Sequence, residues 1–157
     1  MVWGKIKMDY NKKKADYGVS TVINYLNRIG FKEVKDVTKD KKDEDAYGCD
    51  IIALNLQNQR VRIEVKTTTN DKGGIPDCHD SLFNEDRTVK ADFFYIVRLD
   101  KEDITKIRWM EILTKEEIDR YKDSHKWLRR LRTTKLDIAL YKGLVGKKIP
   151  TSELSLS

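Results

Sequence analysis

Hydrophobic positions in this chain follow two different periods. From Lys12 to Ile29 the apolar residues Val19, Val22, Ile23, Leu26 and Ile29 recur at helical spacing. That spacing predicts an amphipathic helix with one buried stripe. Gly30 follows as its C-terminal stop. Residues 1 to 11 carry Trp3, Ile6 and Met8 without a clear period, and read as a short arm or a segment packed on the core. Phe31 to Val37 reads as a short strand or the exit loop of the helix. Asp40 to Asp45 is a run of charges, the pattern of a solvated loop.

Within 48–69 the period becomes two. Val61, Ile63 and Val65 alternate with Arg60, Arg62, Glu64 and Lys66, as on a strand with one wet and one buried face. We read two antiparallel strands, the first opening at Asp50 and the second ending with Glu64-Val65-Lys66. Gln57-Asn58-Gln59 is the turn between them. Residues 70–90 are rich in Asn, Asp, Gly and Ser, and read as a long loop; loops longer than about 15 residues in a compact domain are often functional. Ala91 to Leu99 is a near-continuous apolar run of aromatic and β-branched residues, expected for a strand covered on both faces. Lys106 to Leu113 follows as another strand. Thr114 and Glu117 have capping-box spacing, which starts a helix.

This order of elements predicts an α/β domain with a mixed central sheet flanked by helices. At 157 residues the chain is long enough for one domain with a real core. That core is expected over about 12–142, with a basic C-terminal segment at 120–148 and a frayed tail at 150–157. Charged residues make up 37% of the chain and the net charge is +6, which suits a polyanionic partner. No stretch approaches the roughly 20 apolar residues of a membrane span, and the N-terminus lacks the apolar core of a signal peptide. The expectation is a cytoplasmic protein that binds no membrane. Cys49 and Cys78 form no disulfide framework. Together with His79 and His125 they match no familiar zinc-ligand spacing.

The candidate chemistry lies in the two paired strands. A turn at 57–59 sets Asp50 across from Lys66 and Ile52 across from Glu64, about 5 Å apart. Two carboxylates and an ammonium then converge, and neighbouring carboxylates repel unless a cation sits between them. A hard divalent ion such as Mg²⁺ suits such a site. A turn one residue longer or shorter moves Asp50 to the other face. The same alternation of charges also describes an ordinary half-exposed strand.

Asp50 with Glu64-Val65-Lys66 resembles the active-site signature of the PD-(D/E)XK nuclease superfamily. Gly48-Cys49 stands where a proline often precedes the acid. The run Ile-Glu-Val-Lys-Thr-Thr, with Tyr-Gly-Cys-Asp-Ile ahead of it, is similar to Mrr-like restriction endonucleases and related small nuclease domains. The resemblance covers roughly residues 12–113 and implies a restriction-endonuclease-like core. It implies a metal-dependent DNA endonuclease in which Asp50, Glu64 and the Val65 carbonyl hold Mg²⁺, with Mn²⁺ able to substitute. Lys66 would orient the attacking water. Members of this family often carry a Glu on the first helix that touches the metal; here Asp16 is the candidate. Pro76-Asp77 follows the Glu-x-Lys run, whereas the family's acid precedes it.

Phosphate contacts are expected from Lys72 in the long loop and from the basic segment. Residues 120–148 hold ten Lys and Arg against two acids. Lys126, Arg129, Arg130, Arg132 and Lys135 there interleave with Trp127, Leu128 and Leu131, the footprint of a phosphate-binding stripe. Thr67 and Thr68 read equally as phosphate donors or as ordinary strand residues. The expected partner is duplex DNA, with a homodimer supplying two active centres. A junction-resolving or homing nuclease, or an inactive nucleic-acid-binding module of the same fold, stays open as an alternative.

Overall fold

The computed structural model describes residues 2–38, 49–69, 91–124 and 147–150. Helix α1 runs over Val2–Arg28 and is followed by strands β1 (Lys32–Asp36), β2 (Ile51–Leu54), β3 (Arg60–Thr68), β4 (Phe93–Leu99) and β5 (Ile107–Thr114). Helix α2 (Lys115–Ser124) and strand β6 (Lys147–Pro150) complete the described chain. The strands form one six-stranded sheet in the order β1-β2-β3-β4-β5-β6. β3 and β4 are parallel and every other neighbouring pair is antiparallel. The mixed sheet with helices is the expected α/β class. No helix of the described residues is long and apolar enough to cross a membrane.

α1 starts well before Lys12. Nothing between Lys5 and Tyr17 is Gly or Pro, so a helix nucleated by the packed segment propagates backward at one hydrogen bond per residue. Its other end stops as predicted. Gly30 takes φ +98°; the Phe31 N–H donates to the Leu26 carbonyl at 2.9 Å and the Gly30 N–H to the Asn27 carbonyl at 3.2 Å. These two bonds make a Schellman cap, which needs the left-handed residue that glycine supplies.

The main core lies between α1 and one face of the sheet. Val19, Val22 and Leu26 pack on Ile51, Ala53, Val61, Ile63, Val65, Tyr95, Val97 and Leu99. Arg62, Glu64, Lys66 and Thr68 alternate onto the opposite face of β3. β4 is buried along nearly its whole length, as its apolar run requires. On the face away from α1, Arg98 is only 3% exposed; it donates to Glu111 from Nε at 3.3 Å, and Trp109 Nε1 donates to the same carboxylate at 2.9 Å. At the start of α2, Thr114 Oγ1 accepts the Glu117 N–H at 3.1 Å and donates to its carboxylate at 3.1 Å. The predicted capping interaction is therefore present.

The pairing of β2 with β3 corrects the expected register. Ile52 faces Arg62 and Ile51 faces Ile63, so Ile52 is not across from Glu64, nor Asp50 across from Lys66. The three-residue turn exists, but it occupies 56–58. The Asn55 N–H bonds the Gln59 carbonyl at 2.9 Å, and Asn55 Oδ1 accepts the N–H groups of Gln57 and Gln59. Asn58 takes φ +58°, a conformation Asn tolerates better than Gln. Moving the turn by one residue moves the register by two, which preserves the face of every side chain on β3.

α1 and β3 approach closely at Gly18. A Cβ placed there would collide with Thr67 Oγ1 and lie 3.1 Å from Thr67 Cβ. Glycine in a helix interior costs about 1 kcal/mol relative to alanine, and this approach explains its presence. Gly18→Ala is expected to lower stability by about 2 kcal/mol through overpacking, with Thr67→Ala in the same chain restoring much of it. Thermal denaturation of the three variants measures this.

Candidate functional site

The stripe of α1 that packs on the sheet continues N-terminally from Val19 through Ala15 to Asn11, and both of these are exposed. α1 therefore overhangs the ends of β2 and β3. A cleft of about 320 Å³ lies beneath the overhang, lined by Asn11, Lys14, Ala15, Asp16, Val19, Thr38, Asp50, Val65, Lys66 and Thr67. Two of the predicted carboxylates, Asp16 and Asp50, thus share a cleft with Lys66 although they come from distant parts of the chain.

Backbone geometry sets Asp50 there. Its N–H donates to the Ile63 carbonyl at 3.1 Å, and Ile51 is registered against the same residue. Two residues therefore oppose one, as in a β-bulge, a feature that re-aims a side chain. Asp50 Oδ2 then accepts the Val65 N–H at 2.8 Å, and the Asp50 carbonyl accepts the Val37 N–H at 2.9 Å. Thr38, at the cleft wall, is held by Asp36 Oδ1 through its N–H at 2.9 Å. Asp50 thus closes a strand end as well as presenting a carboxylate, a structural duty its sequence position did not reveal.

Glu64 is not among the residues lining the cleft. It lies on the same face of β3 as Lys66, which does reach the cleft, two residues closer to the turn. Cys49 reports on both carboxylates. It is buried, and burial, with added repulsion from Glu64 and Asp50, pushes its thiol up to about 11. We expect Cys49 to resist alkylation at neutral pH until the protein unfolds. A raised pKa stabilises the fold below the thiol's ordinary value near 9 and ceases to do so as pH rises towards 11. Denaturation midpoints should fall across that window, and less so in Cys49→Ala.

Among the described residues, no group of three or more His, Cys, Asp and Glu is arranged to hold a metal ion. A Mg²⁺ site of one or two carboxylates completed by a carbonyl and water needs no such group. Lys72, Lys126, Arg129, Arg130, Arg132 and Lys135 lie outside the described residues, as do Cys78, His79 and His125. Sequence reading missed Asn11 as a cleft residue because the region before Lys12 showed no period, and Lys14 because a single lysine on the polar side of a predicted helix carries no signal. It also missed a second cleft of about 330 Å³ on α1, lined by Lys13, Asp16, Tyr17, Ser20, Ile104 and Thr105.

Fold and cleft together define an α/β protein with a cleft, lined by Asp16, Asp50 and Lys66 among others, where the first helix overhangs the strand ends of a mixed sheet. In comparison with known proteins, no family model matches the chain, and neither does any curated protein or solved structure.

Proposed function

We propose that this chain is a metal-dependent endonuclease of the PD-(D/E)XK type that hydrolyses phosphodiester bonds in DNA, acting as a homodimer where both strands are cut. The observation that carries this reading is the cleft that Asp16, Asp50 and Lys66 all line. A helix, a three-strand antiparallel meander and a parallel fourth strand support a restriction-endonuclease-like core. The carboxylates are hard oxygen donors of the kind Mg²⁺ and Mn²⁺ accept. Asp50, oriented by the Val65 N–H, and Glu64 would hold the ion together with the Val65 carbonyl, and Asp16 would stand in for a helix glutamate. Once bound, the ion would lower the pKa of a water and polarise the scissile phosphate. Lys66 would orient that water and offset negative charge as it develops.

Purified protein incubated with supercoiled plasmid, linear duplex and a four-way junction tests this, with Mg²⁺, Mn²⁺ or EDTA and beside the Glu64→Ala variant. Cutting is expected with either metal and not with EDTA, and is lost in Glu64→Ala. The substrate cut best separates a restriction or homing role from junction resolution. One observation favours a second reading, a nucleic-acid-binding module without catalysis: Glu64 is absent from the lining of the cleft. Binding in EDTA with no cutting under either metal would establish that reading in place of the first.

A further inference from the structure

The second cleft on α1 adjoins the first through Asp16, which lines both. Its walls are unlike those of its neighbour. Tyr17 and Ile104 are partly buried against the core and offer an aromatic and an aliphatic surface. Ser20, Thr105 and Asp16 add hydroxyl and carboxylate oxygens, and Lys13 adds a cation. The cavity is also built in advance. Tyr17 Oη donates to the Thr105 carbonyl at 2.6 Å, which ties α1 to the β4–β5 connection. That connection is stitched internally. Asp100 Oδ1 accepts the N–H groups of Glu102 and Asp103, Asp103 Oδ1 accepts the Thr105 N–H at 3.0 Å, and the Asp103 carbonyl accepts the Lys106 N–H at 3.0 Å. The Thr105 hydroxyl also donates to Asp103, which holds that exposed carboxylate below its usual range.

We propose that this cleft receives one unpaired nucleotide of the substrate strand, next to the phosphate to be cut. This inference rests on the nuclease reading above and names its substrate class: single-stranded or branched DNA with an unpaired nucleotide. A nucleotide combines a flat apolar base, polar base edges and an anionic phosphate. The cleft offers an aromatic and aliphatic wall, three oxygen-bearing side chains and an ammonium group. A base in a duplex is stacked on both sides and paired with its partner, and enters such a cavity only after unstacking and unpairing, whereas an unpaired base enters without the cost of breaking a pair. Because Asp16 is shared, a strand with its phosphate in the first cleft carries its neighbouring nucleotide towards the second.

Fluorescence anisotropy in EDTA, with a labelled single strand and the duplex of the same sequence, reads this without any cleavage. Ser20→Trp fills the cavity from an exposed helix position, and Ile104→Asp makes its apolar wall repel the phosphate; Ile104→Leu is the conservative control. Each of the first two is expected to weaken single-strand binding about tenfold, the size of one lost base stack. Duplex affinity should stay within about twofold, and Ile104→Leu should bind as the parent does. Ser20→Trp keeps the question answerable should Ile104→Asp not fold. Equal losses on both substrates, or no loss on the single strand, would overturn the pocket while leaving the nuclease reading to its own cleavage assay. A parent protein that binds neither DNA would overturn the pocket as well, with the metal-dependent cleavage assay still deciding the nuclease reading.

Discussion

Asp50→Ala is expected to abolish metal-dependent cutting, by more than about a thousandfold, and to lower stability as well. The double loss follows from its two roles. The carboxylate lines the cleft, but its Oδ2 also accepts the Val65 N–H at 2.8 Å. Removing the acceptor leaves a donor unsatisfied at a half-covered strand end, which costs about 1–2 kcal/mol. Asp50→Asn separates the two effects. Its amide oxygen can still accept from Val65, so the thermal midpoint should stay near that of the parent while cutting is lost with the charge. Lys66→Ala should lose cutting alone. Thermal denaturation alongside the plasmid assay checks all three. An Asp50→Asn protein that cuts normally would show that the carboxylate is purely structural.

The largest stability effect is expected at Glu111. Its carboxylate meets Arg98, 3% exposed, and also accepts from Trp109 Nε1. The Arg98 guanidinium lies 5.9 Å from the Trp109 ring centre. Glu111→Leu leaves a buried guanidinium without this counter-charge. Breaking one side of a buried pair costs about 3–5 kcal/mol, roughly 10 °C in midpoint for a chain of this size. The double variant Arg98→Met with Glu111→Leu should recover most of that, because replacing both ions by apolar groups is often close to neutral. Urea unfolding of the single and double variants measures the difference. A double variant as unstable as Glu111→Leu would place the cost in lost packing instead of the stranded charge.

Period-two alternation in 60–66 and the apolar run before Leu99 made β3 and β4 legible, because burial on one or both faces writes itself directly into side-chain type. The stop at Gly30 and the start at Thr114 were legible because capping chemistry is local. The turn was misplaced by one residue because nothing in Gln57-Asn58-Gln59 announces that Asn58 adopts a positive φ and that Asn55 clasps the loop. The early turns of α1 were missed for a different reason: among the residues whose burial is described there, 9–13, 15 and 16 are exposed, so no apolar period marks them. The candidate site was legible in part. Asp50, Lys66 and Asp16 line one cleft and Glu64 does not, and the bond from Val65 to Asp50 is a tertiary fact that no sequence pattern announces. So is the cleft between Tyr17 and Thr105, which lie 88 residues apart and share no sequence signal.

The parallel pairing of β3 with β4 has a kinetic consequence. β1, β2 and β3 are joined as antiparallel neighbours, and so are β4 and β5, with α2 continuing directly from β5. Each group can zip up locally. Joining them requires positions as far apart in sequence as Val65 and Tyr95 to meet, and the entropy of closing that separation is lost before the contacts can repay it. The seam between β3 and β4 is therefore the expected slow step of folding. The cleft, built from α1 with β2 and β3, belongs to the half that closes early, so its walls can assemble before the seam is sealed.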